Sequence, residues 1–254
     1  MEQYTAWKAL ITSGEAVTDW QKFYVYFYQA FIEKDRWQQY LKGVGTTLYV
    51  TAFALLLGVI LGVIVAVVRT AHDQQRPGHR NPILGILNAI FKVYVTVIRG
   101  TPMMVQLLIM GFVIFASSKN FVMVGALTLG INSGAYQAEI IRGGLMSVDA
   151  GQMEASRSLG INYVDTMRFV IIPQAIKAIL PALGNEFIVL LKDTSLISVI
   201  GGKELLYAAR AIVSRTYEAM YPFLGTAVIY LVLVMIFTWL LGIFERRLRT
   251  SDRR

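Results

Sequence analysis

Two long stretches of this chain, residues 43–68 and 221–244, contain no acidic or basic side chain. Each is longer than the roughly 20 apolar residues that an α-helix needs to cross the hydrocarbon core of a bilayer. Residues 100–118 and 120–138 are two shorter charge-free runs of just sufficient length. Because a helix satisfies its backbone hydrogen bonds within one segment, it is suited to lipid. The sequence therefore predicts an all-α integral membrane protein.

Composition supports this class and argues against others. Of the 254 residues, 56% are hydrophobic and 16% are charged, whereas a soluble domain has about 25% charged residues. Cysteine is absent, which excludes disulfides and thiolate metal sites. The formal net charge is +8, but five arginines lie in the C-terminal tail 245–254, beside the last apolar run. Such a cluster is typical of a cytoplasmic membrane flank, so we expect no nucleic-acid partner.

The sequence offers no metal or nucleotide site. His72 and His79 lie in a basic loop where Asp73 is the one carboxylate and no thiol is present, so a solvated loop is favoured over a metal site. The nearest approach to a phosphate-binding loop is Gly201-Gly202-Lys203, whose spacing does not match that motif. Any ATP hydrolysis is therefore expected on another subunit.

The apolar pattern predicts five spans between an N-terminal extension and a basic tail. The spans cover approximately residues 43–68, 83–116, 121–146, 181–200 and 221–244. The extension, residues 1–42, is rich in aromatic residues and is expected to be extracytoplasmic, with a helix lying along the bilayer surface. The alternative is a sixth span, which would be too short between Lys22 and Glu33. We expect the transmembrane domain to cover residues 43–244 and the tail residues 245–254.

Glycine and proline indicate where the spans touch or bend. Gly58 and Gly62 form a small-xxx-small pair, which favours close helix contact in lipid. Arg99, Gly100 and Pro102 interrupt the second apolar stretch, and we expect the helix to break there. Arg99 could reach a transport pathway, snorkel to the interface or cap the broken helix. Pro173 and Pro181 are expected to mark helix starts or bends, with the fourth span beginning near Pro181.

Five spans place the two termini on opposite sides of the membrane. The arginine-rich tail is expected inside, which puts the loops 69–82 and 147–172 inside and the N-terminus outside. The protein would be multi-pass in a plasma or inner membrane.

A short polar segment separates the third and fourth spans, and we call it the polar knob. The polar knob comprises residues 149–165. Asp149 is predicted to cap a helix, with Gln152 completing a loose capping box, and that helix should end near Leu159. Gly160 suits a left-handed helix stop, and Asn162 suits the start of a second helix.

Small and acidic residues on the first helix of the polar knob favour contact with a partner. Ala155, Ser156 and Gly160 are small, so a partner surface can approach the backbone closely, and Glu154 gives that contact one charge.

Polar side chains within the third span share one helix face. Asn132, Tyr136, Glu139 and Gly143 follow steps of three or four residues. Charges inside spans are costly and often functional, so Asn132, Tyr136 and Glu139 are candidates for a substrate pathway. The alternative is that Glu139 forms a structural ion pair with Arg142.

The fourth span carries a second set of candidate pathway residues. The set is Asn185, Glu186, Lys192, Asp193, Thr194 and Ser195. Spacings of seven place Glu186 and Asp193 on one face, and likewise Asn185 and Lys192. The set could bind a zwitterion, with Lys192 or a helix N-terminus meeting its carboxylate and an acid meeting its ammonium group. The alternative is mutual neutralisation of Lys192 with Asp193 or Glu186.

The polar knob resembles the EAA loop of permeases from binding-protein-dependent ABC importers. The resemblance rests on Glu154-Ala155-Ser156, then Gly160 after three residues, and, nine residues later, Val170-Ile171-Ile172-Pro173. Ser156 stands where the family usually has a second alanine, and Val170 and Ile172 replace isoleucine and leucine. These changes keep size or shape.

Further strings resemble the polar amino-acid branch of these permeases, which handles histidine, glutamate, glutamine, arginine and opines. They include Gly43-Val44-Gly45-Thr46-Thr47-Leu48, Arg99-Gly100-Thr101-Pro102, Ala135-Tyr136-Gln137-Ala138-Glu139 and Leu190-Leu191-Lys192-Asp193-Thr194-Ser195-Leu196. None of these strings lies in the first 41 residues, whose role the resemblance leaves unexplained.

The resemblance implies a five-helix type I ABC transporter transmembrane domain with a cytoplasmic coupling helix. It implies a transport subunit that is not itself an enzyme and that moves a polar or charged amino acid inward by alternating access. The partners implied are cytosolic ABC ATPases, and these would hold ATP and Mg. The others are an extracytoplasmic amino-acid-binding protein, a second permease of the same or a related chain, and membrane lipids. No cofactor is implied in this chain. Glu154, Ala155, Ser156 and Gly160 would couple the permease to the ATPase.

Two other functions remain open on the sequence. A free-standing channel or secondary carrier would transport without partners, but no internal repeat is visible and five spans do not divide into inverted halves. A purely structural membrane subunit would tolerate substitution of the charged residues in its spans.

Overall fold

The computed structural model describes residues 2–75 and 81–250. This part of the chain contains eleven α-helices and no strands. The helices are α1 (Glu2–Ser13), α2 (Asp19–Phe31), α3 (Trp37–Asp73), α4 (Pro82–Gly100), α5 (Met103–Ile109), α6 (Phe121–Met146), α7 (Ala150–Ser158), α8 (Tyr163–Thr166), α9 (Ile172–Asp193), α10 (Leu205–Thr216) and α11 (Met220–Thr250). Shorter helical turns are 3₁₀ at Glu33–Asp35 and Thr194–Ile200 and π at Met110–Ile114 and Met167–Ile171. Arg76, Pro77, Gly78, His79 and Arg80 of the predicted loop, and residues 251–254 of the tail, lie outside the described residues.

The first span extends beyond its charge-free run at both ends. α3 runs from Trp37 to Asp73, which is 37 residues or about 55 Å of helix. The additional turns contain the charged residues Lys42, Arg69 and Asp73, which the charge-free run excluded. Charge-free length therefore underestimates the helix.

The predicted break in the second apolar stretch is confirmed. α4 ends at Gly100, Thr101 and Pro102 have extended backbones, and α5 begins at Met103. The Gln106 side chain spans the break, because its Nε2 donates to the Ile98 carbonyl at 2.7 Å and to the Thr101 Oγ1 at 2.8 Å. The carbonyl exposed by the break is thus satisfied within the protein, as lipid requires.

The fourth span starts earlier than predicted. A continuous helical segment covers Tyr163–Ile200, and Pro181 lies inside α9 rather than at its start. Pro173 lies in the first turn of α9, directly after the π turn Met167–Ile171, so it too lies inside the continuous segment. The expected start at Pro181 was wrong because a membrane helix tolerates an internal proline when neighbouring helices support it.

α3 and α6 form the centre of the bundle and approach closely at glycines. A Cβ added to Gly58 or Gly62 would lie within 3.0 Å of the Gln137 side chain on α6. From the other side, Gly130 and Gly134 leave room for Leu57 and Leu61. The predicted close contact at Gly58 and Gly62 is confirmed. Since residue numbers rise together along this contact, α3 and α6 are parallel.

Four helical segments of the described chain are long and apolar enough to cross a membrane. They are Glu33–Asp73, Pro82–Gly100, Tyr163–Ile200 and Met220–Leu248. α6 has 26 residues, long enough at about 39 Å, but polar side chains such as Ser133 and Gln137 lower its apolarity. Both are buried, so α6 is a central helix with buried polar side chains, and it packs against α3, α4, α5 and α9.

The remaining spans alternate in direction. Along α6 and α9 the contacts pair Gly144 with Ile179 and Gly125 with Ile197, so these helices are antiparallel. α11 returns along α9, where Phe187 and Phe237 have ring centroids 4.7 Å apart. One end of the molecule therefore carries the polar knob and the C-termini of α3 and α11. The other end carries α10 and the N-terminal helices.

The N-terminal extension is a helical hairpin packed by aromatic rings. Tyr4 and Tyr28 have centroids 4.4 Å apart, and the Trp7 and Tyr24 rings meet edge to face at 5.3 Å. Phe23 of α2 contacts Tyr221 at the start of α11, with ring centroids 5.8 Å apart. The helical extension agrees with the sequence, and its position along a bilayer surface stays a prediction.

Candidate functional site

The polar knob begins with a capped helix. The Asp149 Oδ1 accepts a hydrogen bond from the backbone N–H of Gly151 at 2.6 Å, so the predicted cap at Asp149 is confirmed. The predicted capping box is wrong. In the described structure the Gln152 amide oxygen turns away from Asp149 and accepts from the Gln174 Nε2 at 3.5 Å, towards α9.

The helix α7 ends in a Schellman motif at Gly160. Gly160 has φ +81°, the N–H of Ile161 donates to the Ser156 carbonyl at 3.1 Å, and the N–H of Gly160 donates to the Arg157 carbonyl at 3.0 Å. These two bonds satisfy carbonyls that the helix end leaves free. The left-handed stop predicted at Gly160 is confirmed.

The second helix of the polar knob is continuous with the fourth span. Asn162 caps α8, because its Oδ1 accepts from the Asp165 N–H at 2.9 Å. From Tyr163 the helix runs through a π turn into α9 without a non-helical residue. The hydroxyl of Tyr163 also donates to Gln74 just past the end of α3. A force applied to α7 therefore reaches α9 and α3 over a few rigid contacts.

The exposed surface of the polar knob differs in part from the prediction. Glu154, Ala155 and Gly160 are exposed. Ser156 is only 6% exposed, and its hydroxyl donates to the Gln152 carbonyl at 2.8 Å. Ser156 is therefore a small packing residue on the inner side of α7, and a partner would meet the opposite side.

Apolar side chains enlarge this surface in a way that the sequence pattern did not single out. Leu159 is 80% exposed, and Val164 and Phe169 are also largely exposed. Large apolar side chains left in water at the end of a bundle are typical of a protein contact. The available signal was their presence in an otherwise polar loop.

The helix break and the α6 face come together on an exposed side of the bundle. The Arg99 guanidinium lies 5.1 Å from the centroid of the Tyr136 ring. The Asn132 Nδ2 donates to the Gln106 Oε1 at 3.0 Å. Gln106, which bridges the break, is the member of this group that the prediction of site residues missed.

An apolar cavity of about 250 Å³ adjoins this group. Its lining includes Ile98, Thr101, Gln106, Met110, Thr128 and Ile131. The break between α4 and α5 therefore opens space between these helices and α6.

Glu139 forms the predicted alternative, a structural ion pair. Its Oε2 lies 3.1 Å from the Arg142 Nη2, and Arg69 of α3 pairs with its other oxygen. Arg69 was not predicted, because its partner is distant in sequence. The three charges join α3 to α6 at the polar-knob end of the bundle, and the place of Glu139 in a substrate pathway stays a prediction.

The candidate residues of the fourth span separate into two groups. Glu186 is half-buried and its Oε1 accepts from the Ser133 hydroxyl at 2.8 Å, while Asp193 is also half-buried. Asn185 and Lys192 are exposed on the single chain. No ion pair within the described residues joins Lys192 to either acid, so mutual neutralisation by direct contact is not formed.

The last two residues of this set lie at the start of the 3₁₀ turn that follows α9. Thr194 is buried and its hydroxyl donates to the Leu191 carbonyl at 2.8 Å. Ser195 is half-buried at the start of the 3₁₀ turn.

Comparison with known proteins matches this geometry to one family. The family described as the inner membrane component of binding-protein-dependent transport systems matches residues 80–250. The glutamine transport system permease protein GlnP of Escherichia coli (strain K12) is 34% identical over 216 residues, covering 82% of this chain and 92% of that protein.

Solved structures give the same result. The crystal structure of an amino acid ABC transporter with histidines has a chain that is 39% identical, with a TM-score of 0.76, covering 91% of this chain and 100% of that one. An inward-facing structure of the MetNI methionine ABC transporter is 19% identical with a TM-score of 0.71, covering 85% of this chain and 98% of that one, and shows a shared fold. The predicted type I permease fold and the resemblance to ABC importer permeases are confirmed. This chain belongs to the family of inner membrane components of binding-protein-dependent transport systems.

Proposed function

We propose that this chain is the permease subunit of an ATP-driven importer that moves a polar or charged amino acid into the cytoplasm. The observation that carries the proposal is the polar knob: the capped helix α7, a turn at Gly160 with exposed apolar residues beside it, and the helix α8, which continues into the spanning helix α9. The amino-acid class is supported by similarity to a glutamine permease and to an amino acid ABC transporter.

The polar knob is the contact for a cytosolic ABC ATPase. ATP and Mg bind on that separate subunit, and closure of an ATPase pair moves α7. Glu154, Ala155, Gly160 and the exposed apolar residues form the contact, while Ser156 fixes α7 from inside. Because α8 continues into α9, movement of α7 tilts the fourth span, and two permeases rock between inward and outward openings.

The complex has a second permease and an extracytoplasmic amino-acid-binding protein. The polar knob and the basic tail lie in the cytoplasm and the N-terminal hairpin outside, as the arginine-rich tail favours. Lys192 is a charged, exposed residue in a spanning helix, so it faces the second permease or a watery cavity rather than lipid.

The substrate pathway passes the helix break. Arg99 has only an aromatic ring as its described close contact, and its guanidinium suits the carboxylate of an amino acid. Asn132, Tyr136 and Gln106 supply uncharged hydrogen-bonding groups beside it. On the fourth span, Glu186 and Asp193 suit an ammonium group, with Asn185 on the adjoining exposed face.

Reconstitution of the complex tests the proposal. The permease, its ATPase and a panel of amino-acid-binding proteins would be combined in nanodiscs, and ATP hydrolysis would be measured with each amino acid. We expect one binding protein and its amino acid to stimulate hydrolysis. Amino-acid transport by this chain alone in liposomes, without an ATPase, would instead support a free-standing carrier.

Two variants test the coupling role of the polar knob. Gly160→Val places a β-branched residue at φ +81°, where a non-glycine residue costs about 1–2 kcal/mol, and Glu154→Lys reverses the charge of the contact. We expect both to lower stimulated uptake strongly relative to ATP hydrolysis. Gly143→Ala is the control, since a Cβ there meets nothing within 4 Å and the backbone is helical. Unchanged uptake in both variants would remove the coupling role.

A further inference from the structure

An apolar groove lies between α9 and α11 and opens to the outside of the bundle, and we call it the α9–α11 groove. Its volume is about 360 Å³. Phe187 and Ile188 of α9 and Leu240 and Phe244 of α11 are among the residues that line it, and no polar side chain of the described residues does. Because a polar group buried without a hydrogen bond is costly, the groove favours an apolar occupant.

The groove faces the surroundings of the bundle because α11 is little covered by the rest of the chain. The most apolar 18 residues of the segment Met220–Leu248 include none that is buried within the described chain. Leu240 and Phe244, on the wall of the groove, are 46% and 43% exposed. A helix that is apolar all round and unburied in its own fold is suited to lipid. We therefore expect an acyl chain to be able to enter the groove from the bilayer.

The close crossing of α9 and α11 determines which residues face each other along the groove. A Cβ added to Gly184 would overlap the Leu241 side chain, so the two helices touch at this pair. The helices are antiparallel, and seven residues equal about two turns of each. Continuing the register by seven residues therefore places Lys177 opposite Leu248, close to Arg247.

Two cations lie on the groove side of their helices, at the polar-knob end. Lys177 precedes Gly184 by seven residues, and Arg247 follows Phe244 by three. Both spacings keep residues on one face of a helix. Lys177 is half-buried and Arg247 is exposed. The apolar groove thus ends between two cationic side chains, one from each helix.

The charge around this end of the groove is positive overall. The tail 245–254 holds five arginines and two acids, Glu245 and Asp252. A second copy of this chain placed on the groove about a two-fold axis would bring the same cations towards each other, and like charges disfavour such a contact. The charge therefore favours an anionic partner over a second copy.

We propose that the α9–α11 groove binds an anionic phospholipid, with an acyl chain along the apolar lining and the phosphate group between Lys177 and Arg247. Such a lipid joins an apolar chain to an anion in one molecule, as the groove and its two cations require. Basic pockets between spanning helices are typical sites for anionic lipid headgroups. The proposal goes beyond the proposed function, because it depends neither on the amino acid nor on the ATPase.

Quenching of Trp239 fluorescence tests the site. Trp239 precedes Leu240 and is 63% exposed, so a brominated acyl chain in the groove would lie close to its ring and quench it. The full chain would be placed in phosphatidylcholine nanodiscs with increasing fractions of brominated phosphatidylglycerol or, as the matched neutral lipid, brominated phosphatidylcholine. The chain has three further tryptophans, so the signal of Trp239 is the difference between wild type and Trp239→Phe. We expect half-maximal quenching at a fraction of the anionic lipid that is lower by about fivefold or more.

Removal of single charges separates a built site from general attraction by the tail. Arg247→Gln and Lys177→Gln should each raise the half-maximal fraction of the anionic lipid about fivefold. Arg246→Gln is the matched control, because this neighbouring position is turned about 100° away around the helix. The Arg246 Nε donates to the Gly242 carbonyl at 3.1 Å. This variant should stay within about twofold of wild type.

Three outcomes would overturn the lipid site. Equal half-maximal fractions for the two brominated lipids in wild type would show that the groove does not prefer an anion, and this comparison needs no variant to fold. An equal loss of affinity in Arg246→Gln would indicate attraction by the whole tail. Absence of quenching by either lipid would mean that a protein, such as a second permease, covers the groove. All three leave the proposed function intact, since transport is not the readout.

Discussion

Arg99 shows how much of the candidate site could be predicted from the local sequence around one residue. Its position at a glycine- and proline-rich break was predicted from local sequence, because those two residues disrupt a helix wherever they occur. Its contact with Tyr136 could not be predicted, since the two residues are 37 positions apart and lie on different helices. The same holds for Arg69, whose partner Glu139 is on α6. Local backbone features were therefore predictable, and the pairing of charges was not.

The cation–π contact gives a prediction at the residue scale. If Tyr136 positions Arg99 for a substrate carboxylate, Tyr136→Leu should lower amino-acid uptake about fivefold or more, because an exposed cation–π contact contributes about 1 kcal/mol. Tyr136→Phe keeps the ring and is the matched control. Uptake in proteoliposomes containing the complete complex is the measurement, and equal rates in the two variants would contradict the role of the ring.

Glu204 gives a prediction about pH. Burial raises the pKa of the Glu204 carboxyl above its ordinary value of 4.5. The folded state then holds this proton more tightly than the unfolded state, so the stabilisation is complete below about pH 4.5 and is lost as pH rises through the folded-state pKa. Glu204→Gln should flatten this part of the profile, and Glu15→Gln on an exposed N-terminal turn should not. Melting temperature against pH checks this, and parallel profiles for wild type and Glu204→Gln would contradict it.

At the scale of helices, the ends predicted from capping chemistry agreed best with the structure. Asp149, Gly160 and Asn162 have the roles expected of them, because caps depend on a few neighbouring backbone groups. Pro181 was misplaced because its tolerance depends on helices packed around it. Tertiary support decides such cases, and a single segment does not contain that information.

The α3–α6 contact gives a prediction at this scale. Gly62→Leu would place a side chain against the Gln137 Cβ, which lies 2.9 Å from an added Cβ, and overpacking of this kind typically costs about 1–3 kcal/mol. We expect a clearly lower melting temperature in detergent. Gly45→Leu on the same helix is the control, as an added Cβ meets nothing within 4 Å. A similar fall in melting temperature in both variants would mean that the loss of a glycine, rather than the close approach of α3 to α6, causes the destabilisation.

At the scale of the whole molecule, the alternating direction of the spans was predictable. The length and number of the apolar runs determine which loops lie on the same side of the membrane. The structure brings the ends of α3 and α8 together through Tyr163 and Gln74, as the predicted sidedness requires. The gathering of Lys42, Lys203 and Arg215 around α10 was not predictable, since these residues come from distant parts of the chain. The resemblance to a family predicted that partner proteins exist, which the apolar pattern of the chain does not indicate.

The sidedness gives a prediction for the intact protein. The chain has no cysteine, so Ser158→Cys on the polar knob and Ser214→Cys on α10 introduce unique labels at opposite ends. In right-side-out vesicles, a membrane-impermeant maleimide should label only Ser214→Cys, and in inverted vesicles only Ser158→Cys. Labelling of Ser158→Cys from the outer medium would reject the proposed orientation.

The uninterrupted helical segment from Tyr163 to Ile200 contains 38 residues and is about 55 Å long. A rod of that length converts a tilt of about 5° at one end into a displacement of about 5 Å at the other. We therefore expect a tilt of this segment at the polar-knob end to displace the backbone at its opposite end, on the other side of the membrane.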